Sequence, residues 1–340
     1  MAPLYKDLIN EFNWPKDLVL LEVMENDNEK ELSRLTAVLE DAIENLGETE
    51  MRDAMVARAE YLCFIGNKDL CLEYFEEALK KSASVGLRLD IVFSIIRTGF
   101  FYMDHELITK NIKRATNLVE EGGDWDKKNR LKVYQGLYKM SIRDFSGAAL
   151  LFLDTVSTFV AYEVLDYDTF MFYTALCSLL ALDRVTLSNK LLKCPELVQA
   201  SMKKPLIKDF MDSYYGCKYS TFFSNLEKVE QEIKYDRYLN AHYRYYVREM
   251  RVAAYNQLLE SYSSVTLKSM ASSFGVSEDF IDKELSRFIS AGRLKCKVDK
   301  VAGIVATNNS ASDTNFYQQI LKHGDFLLNR VQKLSRLVDV

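Results

Sequence analysis

The stretch SVTLKSMASSFGVSEDFIDKELSRFISAGRLKCKVDKVAGIVA, residues 264–306, decides how the chain folds. Ser264 to Leu267 reads as a short extended segment, and Met270, Ala271 and Phe274 place an apolar face on the compact helix that follows. Gly275-Val276-Ser277 makes a turn, and Ser277 is positioned to cap a second helix whose first turn carries Glu278 and Asp279, favourable beside the helix dipole. That helix presents Phe280, Ile281, Leu285, Phe288 and Ile289 inward and stops at Gly292. Two strand-like runs, Leu294 to Val298 and Gly303 to Ala306, flank Asp299-Lys300. Helix, turn, helix and β-hairpin is the order of a winged helix. A long helix from about Arg237, through Leu239, Tyr243, Tyr246, Met250, Ala254 and Leu258, leads into it.

Many winged helices read DNA, and the charges here argue against it. The second helix, Glu278 to Ser290, carries Glu278, Asp279, Asp282 and Glu284 against Lys283 and Arg287, a poor guest between phosphate walls. On the hairpin, Arg293, Lys295, Lys297 and Lys300 against Asp299 leave +3, which suits a solvated edge protected from stray strand pairing. The segment 235–251 interleaves Tyr235, Tyr238, Tyr243, Tyr245 and Tyr246 with arginines, a mixture that can stack bases. Its tyrosines fall largely on the apolar stripe, so packing is the stronger explanation.

Upstream, residues 51–230 read as helix pairs with a loose period. Ala57, Tyr61 and Phe64 precede the turn Gly66 to Asp69, and Leu70, Tyr74, Ala78 and Leu79 follow it. Ile95, Gly99 and Tyr102, a turn at Asp104-His105, then Leu107, Ile108 and Ile112 repeat the arrangement. So do Leu131, Tyr134 and Tyr138, Arg143-Asp144, then Phe145, Ala149 and Phe152. A fourth unit has Phe172, Leu176, Leu179, Asp183-Arg184, Leu187 and Leu191. Leu70, Leu107 and Phe145 lie 37 and 38 residues apart, in the range of tetratricopeptide-like solenoids. One helix pair cannot bury two apolar faces, whereas stacked neighbours can; the period drifts beyond the third unit, so the array is degenerate, and an irregular helical bundle is the alternative.

After the hairpin, Asn308 to Thr314 is polar enough to predict a flexible joint. Beyond it Ile320, Gly324, Leu327, Val331, Leu334 and Val338 recur in steps of four and three, and Leu321 and Leu328 widen the seam. This is a coiled-coil-like stripe, which either folds back on its own chain or enters a bundle with others, and its position after a polar joint favours the bundle.

Composition agrees with long helices. Among 340 residues there are only 4 prolines and 13 glycines, and 48% are hydrophobic. A net charge of −5 argues against general affinity for nucleic acid or an anionic membrane. The opening residues lack the apolar core of a signal peptide, and the longest uncharged stretch, Thr169 to Leu182, is too short for a bilayer and reads as a buried helix. Six scattered cysteines without a CxxC read as reduced thiols, several of them in the core. His105, His242 and His323 stand far apart, and no metalloprotease, nucleophile-elbow or phosphate-loop motif is present. No catalytic, cofactor-binding or metal-ligating residue is predicted, and no cofactor.

Helical repeats feeding a winged helix and a terminal helix resemble the PCI-domain scaffold subunits of the proteasome lid, the signalosome and a translation initiation complex. The strings EEGGDWD at 120–126, NRLKVY at 129–134, SIRDF at 141–145, LFLDTVSTF at 151–159, LLESY at 258–262 and MASSFGVS at 270–277 are similar to the lid family of the 26S proteasome numbered seven in yeast nomenclature. The likeness runs from about residue 50 onward, and relatives generally carry a longer helical extension at the front.

The resemblance implies a right-handed α-solenoid of TPR-like pairs, a winged-helix PCI module with a small β-hairpin, and a C-terminal helix. The expected divisions are an N-terminal helical segment at 1–50, repeats at 51–235, winged helix at 236–307, and linker with bundle helix at 308–340. It also implies a non-catalytic scaffold in the cytoplasm and nucleus, supporting lid assembly and ATP-dependent degradation of ubiquitinated proteins. The implied partners are other PCI lid subunits, metalloprotease-type lid subunits through the terminal bundle, and base ATPases. The predicted interface residues are Leu294, Cys296 and Val298 on the wing edge and Ile320, Leu327, Leu328, Val331, Leu334 and Val338 on the seam. A signalosome or initiation-complex scaffold is the alternative within the class, and a winged-helix nucleic-acid regulator is the alternative outside it.

Overall fold

The computed structural model describes residues 2–307 and 310–338. Contacts divide the chain into two compact units, Met1–Thr174 and Ala175–Val340.

The first unit opens with α1 (Ala2–Phe12) and the long α2 (Leu18–Asn45). Three helix pairs follow: α3 (Glu48–Ile65) with α4 (Lys68–Lys81), α5 (Val85–Tyr102) with α6 (His105–Gly122), and α7 (Trp125–Ser141) with α8 (Phe145–Thr155). One turn builds all three. Gly66, Met103 and Arg143 adopt left-handed backbone at φ 98°, 54° and 70°. The next residue returns an N–H to the carbonyl five back: Asn67 to Leu62, Asp104 to Gly99 and Asp144 to Lys139. This satisfies the carbonyls that a helix end leaves open. That same residue then caps the second helix, as Asn67, Asp104 and Asp144 accept from the N–H groups of Leu70, Leu107 and Gly147. The predicted turns are therefore present and share one mechanism.

Glycines set how close the paired helices come. A Cβ on Gly99 would stand 2.8 Å from Ile108, and one on Gly136 would stand 2.5 Å from the Phe152 ring. Phe152 is fully buried and meets Phe170 edge to face at 5.4 Å, while Phe93 and Tyr134 stack at 5.1 Å. The inward faces differ in detail from the expectation. Phe64 is 65% exposed and Leu70 is exposed, while Ala59, Leu62, Ile65, Cys71 and Phe75 fill the core. Apolar residues surround α3 on several sides, so the stripe alone did not rank them.

A loop with a short 3-10 turn leads to α9 (Tyr167–Ala181), which is largely buried as predicted for residues 169–182. The fourth pair then loses its regularity. α10 (Arg184–Leu187) passes into a π turn at Ser188–Leu192, though Leu187 and Leu191 are buried as expected. Pro195 and Pro205 open α11 (Pro195–Lys203) and α12 (Pro205–Tyr215); their rings are tolerated only in a first turn, so they restart the helix rather than continue it. No described helix is long and apolar enough to cross a membrane.

In the second unit α13 (Tyr219–Tyr235) precedes α14 (Tyr243–Glu260). The long helix expected from Arg237 thus starts six residues later. Asp236 accepts from the N–H groups of Tyr238 and Leu239 at 2.9 Å each, and a 3-10 turn at Asn240–His242 completes the corner. Of the five tyrosines between 235 and 246 only Tyr246 is fully buried, donating to the Leu176 carbonyl at 3.1 Å; Tyr235 is 90% exposed. Packing therefore explains Tyr246 but not Tyr235.

The winged helix follows as β1 (Ser264–Thr266), α15 (Leu267–Phe274), α16 (Glu278–Ser290), β2 (Cys296–Asp299) and β3 (Ile304–Thr307). The antiparallel order β1-β3-β2 pairs Val265 and Val298 each with Val305. Thr266 and Ser277 cap the two helices, and Gly275 and Gly292 end them at φ 68°. Phe274 is ringed by Tyr219, Phe223 and Tyr255 at 4.7 to 5.0 Å. Ile281, Leu285 and Phe288 point inward as predicted; Phe280 does not, and Glu284 takes an inward place instead.

Finally, α17 (Ser310–Val338) closes the chain. Asn308 and Asn309 of the predicted joint lie outside the described residues, but the segment from Ser310 is already helical. Ser and Asp start helices as readily as they make loops, so composition could not separate the two.

Candidate functional site

α17 has 29 residues, about 43 Å at 1.5 Å per residue. Its predicted seam is real and bare. Ile320, Leu321, Leu327, Leu328, Val331, Leu334 and Val338 are 51–76% exposed, and no Cβ on Gly324 would meet an atom within 4 Å. Every residue from Phe316 to Val338 is exposed. At 3.6 residues per turn the six seam positions fall within about 80° of one another. Tyr317, which the sequence reading missed, extends the alternation to 317, 320, 324, 327, 331, 334 and 338; the same three-four step would have found it. Phe326 lies off the seam, with the Arg330 guanidinium 4.5 Å over its ring. A stripe this continuous is the substrate of knobs-into-holes packing with another helix.

The wing offers a different kind of surface. Leu294 and Cys296, predicted as interface residues, turn their side chains into the module's own core, and Val298 is half-buried. Lys295 and Lys297 alternate with them and point out. β3 occupies the middle of the sheet, so β2 is an edge whose outer side presents backbone rather than apolar side chains. The hairpin tip is shaped by Asp299, which accepts from the N–H groups of Val301 and Ala302 at 2.9 and 3.1 Å, and Val301 at the tip is wholly exposed.

The charges of the module are largely spent inside it. Lys300 binds Asp282 at 2.8 Å, tying wing to α16, and Arg293 pairs with Glu249 on α14. Glu284 accepts from Arg251 and from the Tyr255 hydroxyl, both at 2.7 Å. Burial first, and the neighbouring Glu284 charge second, push the Tyr255 phenol well above its usual value, so it remains a donor. Two of the four hairpin cations are thereby neutralised, which weakens any phosphate-binding wing. The histidines sit on separate elements: His105 opens α6 near the Tyr138 ring, His242 lies in the 3-10 corner, and His323 on α17 bonds the Gln319 carbonyl at 2.8 Å.

Comparison with known proteins agrees with this geometry. The family described as 26S proteasome subunit RPN7 matches residues 17–190, the PCI domain matches 226–309, and the 26S proteasome regulatory subunit RPN7/PSMD6 C-terminal helix matches 317–338. The last begins at Tyr317, the residue that opens the exposed seam. The likeness thus reaches forward of residue 50. A 26S proteasome non-ATPase regulatory subunit 6 homolog of Arabidopsis thaliana is 51% identical over all of this chain and 88% of its own length. The Dictyostelium discoideum 26S proteasome non-ATPase regulatory subunit 6 is 48% identical over all of the chain and 89% of its own. The 26S proteasome regulatory subunit RPN7 of Saccharomyces cerevisiae is 34% identical, covering 99% of this chain and 85% of the relative.

Proposed function

The chain belongs to the RPN7 family of 26S proteasome regulatory subunits, and from that premise we propose that it is a non-catalytic scaffold of the regulatory particle lid. In this role it supports lid assembly and, through it, ATP-dependent degradation of ubiquitinated proteins in cytoplasm and nucleus. The observation that carries the reading is the bare seam on α17: the helix is formed, yet its apolar stripe from Tyr317 to Val338 stays exposed, which supports packing against another chain.

Two attachments of different chemistry follow. The α17 seam enters a helix bundle with other lid subunits, the metalloprotease-type ones included, and commits the subunit to the lid. The outer edge of β2 accepts a strand from a neighbouring PCI subunit, with main-chain hydrogen bonds giving affinity and Lys295 and Lys297 limiting which edges fit. The helix pairs of residues 51–235 supply the surface toward adjacent lid subunits and the base ATPases. The family match disfavours a signalosome or initiation-complex scaffold, and the internally paired charges of α16 and the wing disfavour a nucleic-acid regulator.

Native affinity purification of the tagged chain, with mass spectrometry and a peptidase assay on the eluate, tests the proposal. Lid and base subunits with ATP-dependent peptidase activity are expected. Signalosome or initiation-factor subunits in their place would overturn the assignment.

A further inference from the structure

Cys63, near the end of α3, and Cys71, in the first turn of α4, face each other across the Gly66 turn with their sulfurs 2.7 Å apart. A disulfide needs about 2.05 Å between sulfurs, so the two stand about 0.7 Å beyond bonding distance. The two sulfurs differ in what they can reach. Cys71 is fully buried, whereas Cys63 is half-buried and lines a recess of about 380 Å³ formed with Glu60, Phe64, Arg97, Phe101 and Tyr102. A small polar oxidant can enter there and meet Cys63 first.

The surroundings favour the Cys63 thiolate. Either sulfur can donate in the bond between them; with Cys71 as the donor it holds the Cys63 pKa down to about 7, the Thr98 hydroxyl at 2.9 Å and the Arg97 charge adding to the effect against partial burial. The Thr98 hydroxyl also lies 3.0 Å from the Ser94 carbonyl, so its single proton can serve either oxygen or sulfur. Cys71 is shifted the opposite way, because its proton is held in the bond to Cys63. An accessible thiolate beside a shielded, protonated thiol is the arrangement of an attacking and a resolving cysteine.

We propose that Cys63 and Cys71 form a reversible, peroxide-responsive disulfide that locks α3 to α4. The Cys63 thiolate attacks hydrogen peroxide, the O–O bond breaks, and Cys63 becomes a sulfenic acid as hydroxide leaves and takes up the proton Cys63 had released. The Cys71 sulfur then attacks the Cys63 sulfur; the S–S bond forms, the S–O bond breaks, and the departing hydroxide leaves as water with the Cys71 proton. Two thiols and one peroxide yield one disulfide and two waters, and a dithiol reductant reverses the change. The proposal is independent of the lid assignment, since it uses only this pair of helices.

The test treats the full chain with graded hydrogen peroxide, blocks remaining thiols with an alkylating agent, and maps all six cysteines by mass spectrometry. A Cys63–Cys71 linked peptide is expected at doses that leave Cys194 and the exposed Cys217 alkylatable, and dithiothreitol should remove it. Its rate of formation should rise about tenfold from pH 6 to pH 8 and then level off, whereas an ordinary thiol near 8.5 continues to climb. In Cys71→Ser, the same dose should leave Cys63 as a sulfenic acid that reacts with dimedone. Oxidation of Cys217 before any linked peptide appears, or a wild-type chain in which Cys63 passes to sulfinic acid unlinked, would overturn the proposal.

Discussion

The helix pairs α3–α8 and the terminal helix α17 are written in the same alphabet, apolar residues at three-four spacing, yet they end in opposite environments. In α7 and α8 the stripe is consumed within the chain: Tyr134, Leu137, Ala149 and Phe152 are all without exposed surface. In α17 a stripe of equal regularity stays open along its length. Periodicity therefore reports that a face exists, and only the connection decides who covers it. A turn that caps one helix and at once caps the next folds the chain back on itself, whereas among the described residues nothing covers the stripe of α17.

This contrast breaks most visibly if the same insult is placed on each side of it. Leu327→Asp with Leu334→Asp should reduce recovery of the chain in assembled lid at least tenfold, while its own unfolding free energy stays within about 0.5 kcal/mol. Quantitative pull-down beside urea denaturation reads both, and normal lid recovery would sink the bundle role. Phe152→Ala, in the closed stripe, should instead destabilise the first unit by about 3–5 kcal/mol, seen as a lower urea midpoint. Gly136→Ala sharpens the point, because its new methyl must share space with the Phe152 ring; a loss of about 1–3 kcal/mol is expected, and an unchanged midpoint would mean that the ring moves aside freely. The smallest effect belongs to the turn itself. Met103→Gly should raise stability by up to about 1 kcal/mol, since Met103 holds φ 54° with an exposed side chain that contributes little packing.

Punctuation was the most legible part of the sequence. Gly66-Asn67, Arg143-Asp144 and Gly275-Val276-Ser277 each combine a left-handed residue or cap with a polar side chain of short reach, a local chemistry that needs no tertiary context. Faces were harder. In a stack each helix touches neighbours on more than one side, so Phe64 and Leu70 looked as core-like as Leu62 and Cys71. The start of α14 was hidden because Asp236 and the 3-10 corner interrupt an apolar pattern that itself runs on unbroken. At the wing, alternation correctly separated Leu294 and Cys296 from Lys295 and Lys297, but the apolar set belongs to the interior. A strand edge is read by its backbone, which no side-chain pattern reports. The Cys63–Cys71 pair escaped notice because its two members lie on different helices, eight residues apart, at a spacing that signals nothing in linear sequence.

The open stripe of α17 also governs what becomes of a copy made in excess. A chain without partners carries a ready-made sticky helix through its whole lifetime, whereas incorporation through the proposed bundle would hide it. Self-association and capture by chaperones should then rise with the surplus of this subunit over its neighbours, so that the helix makes correct stoichiometry a condition of solubility.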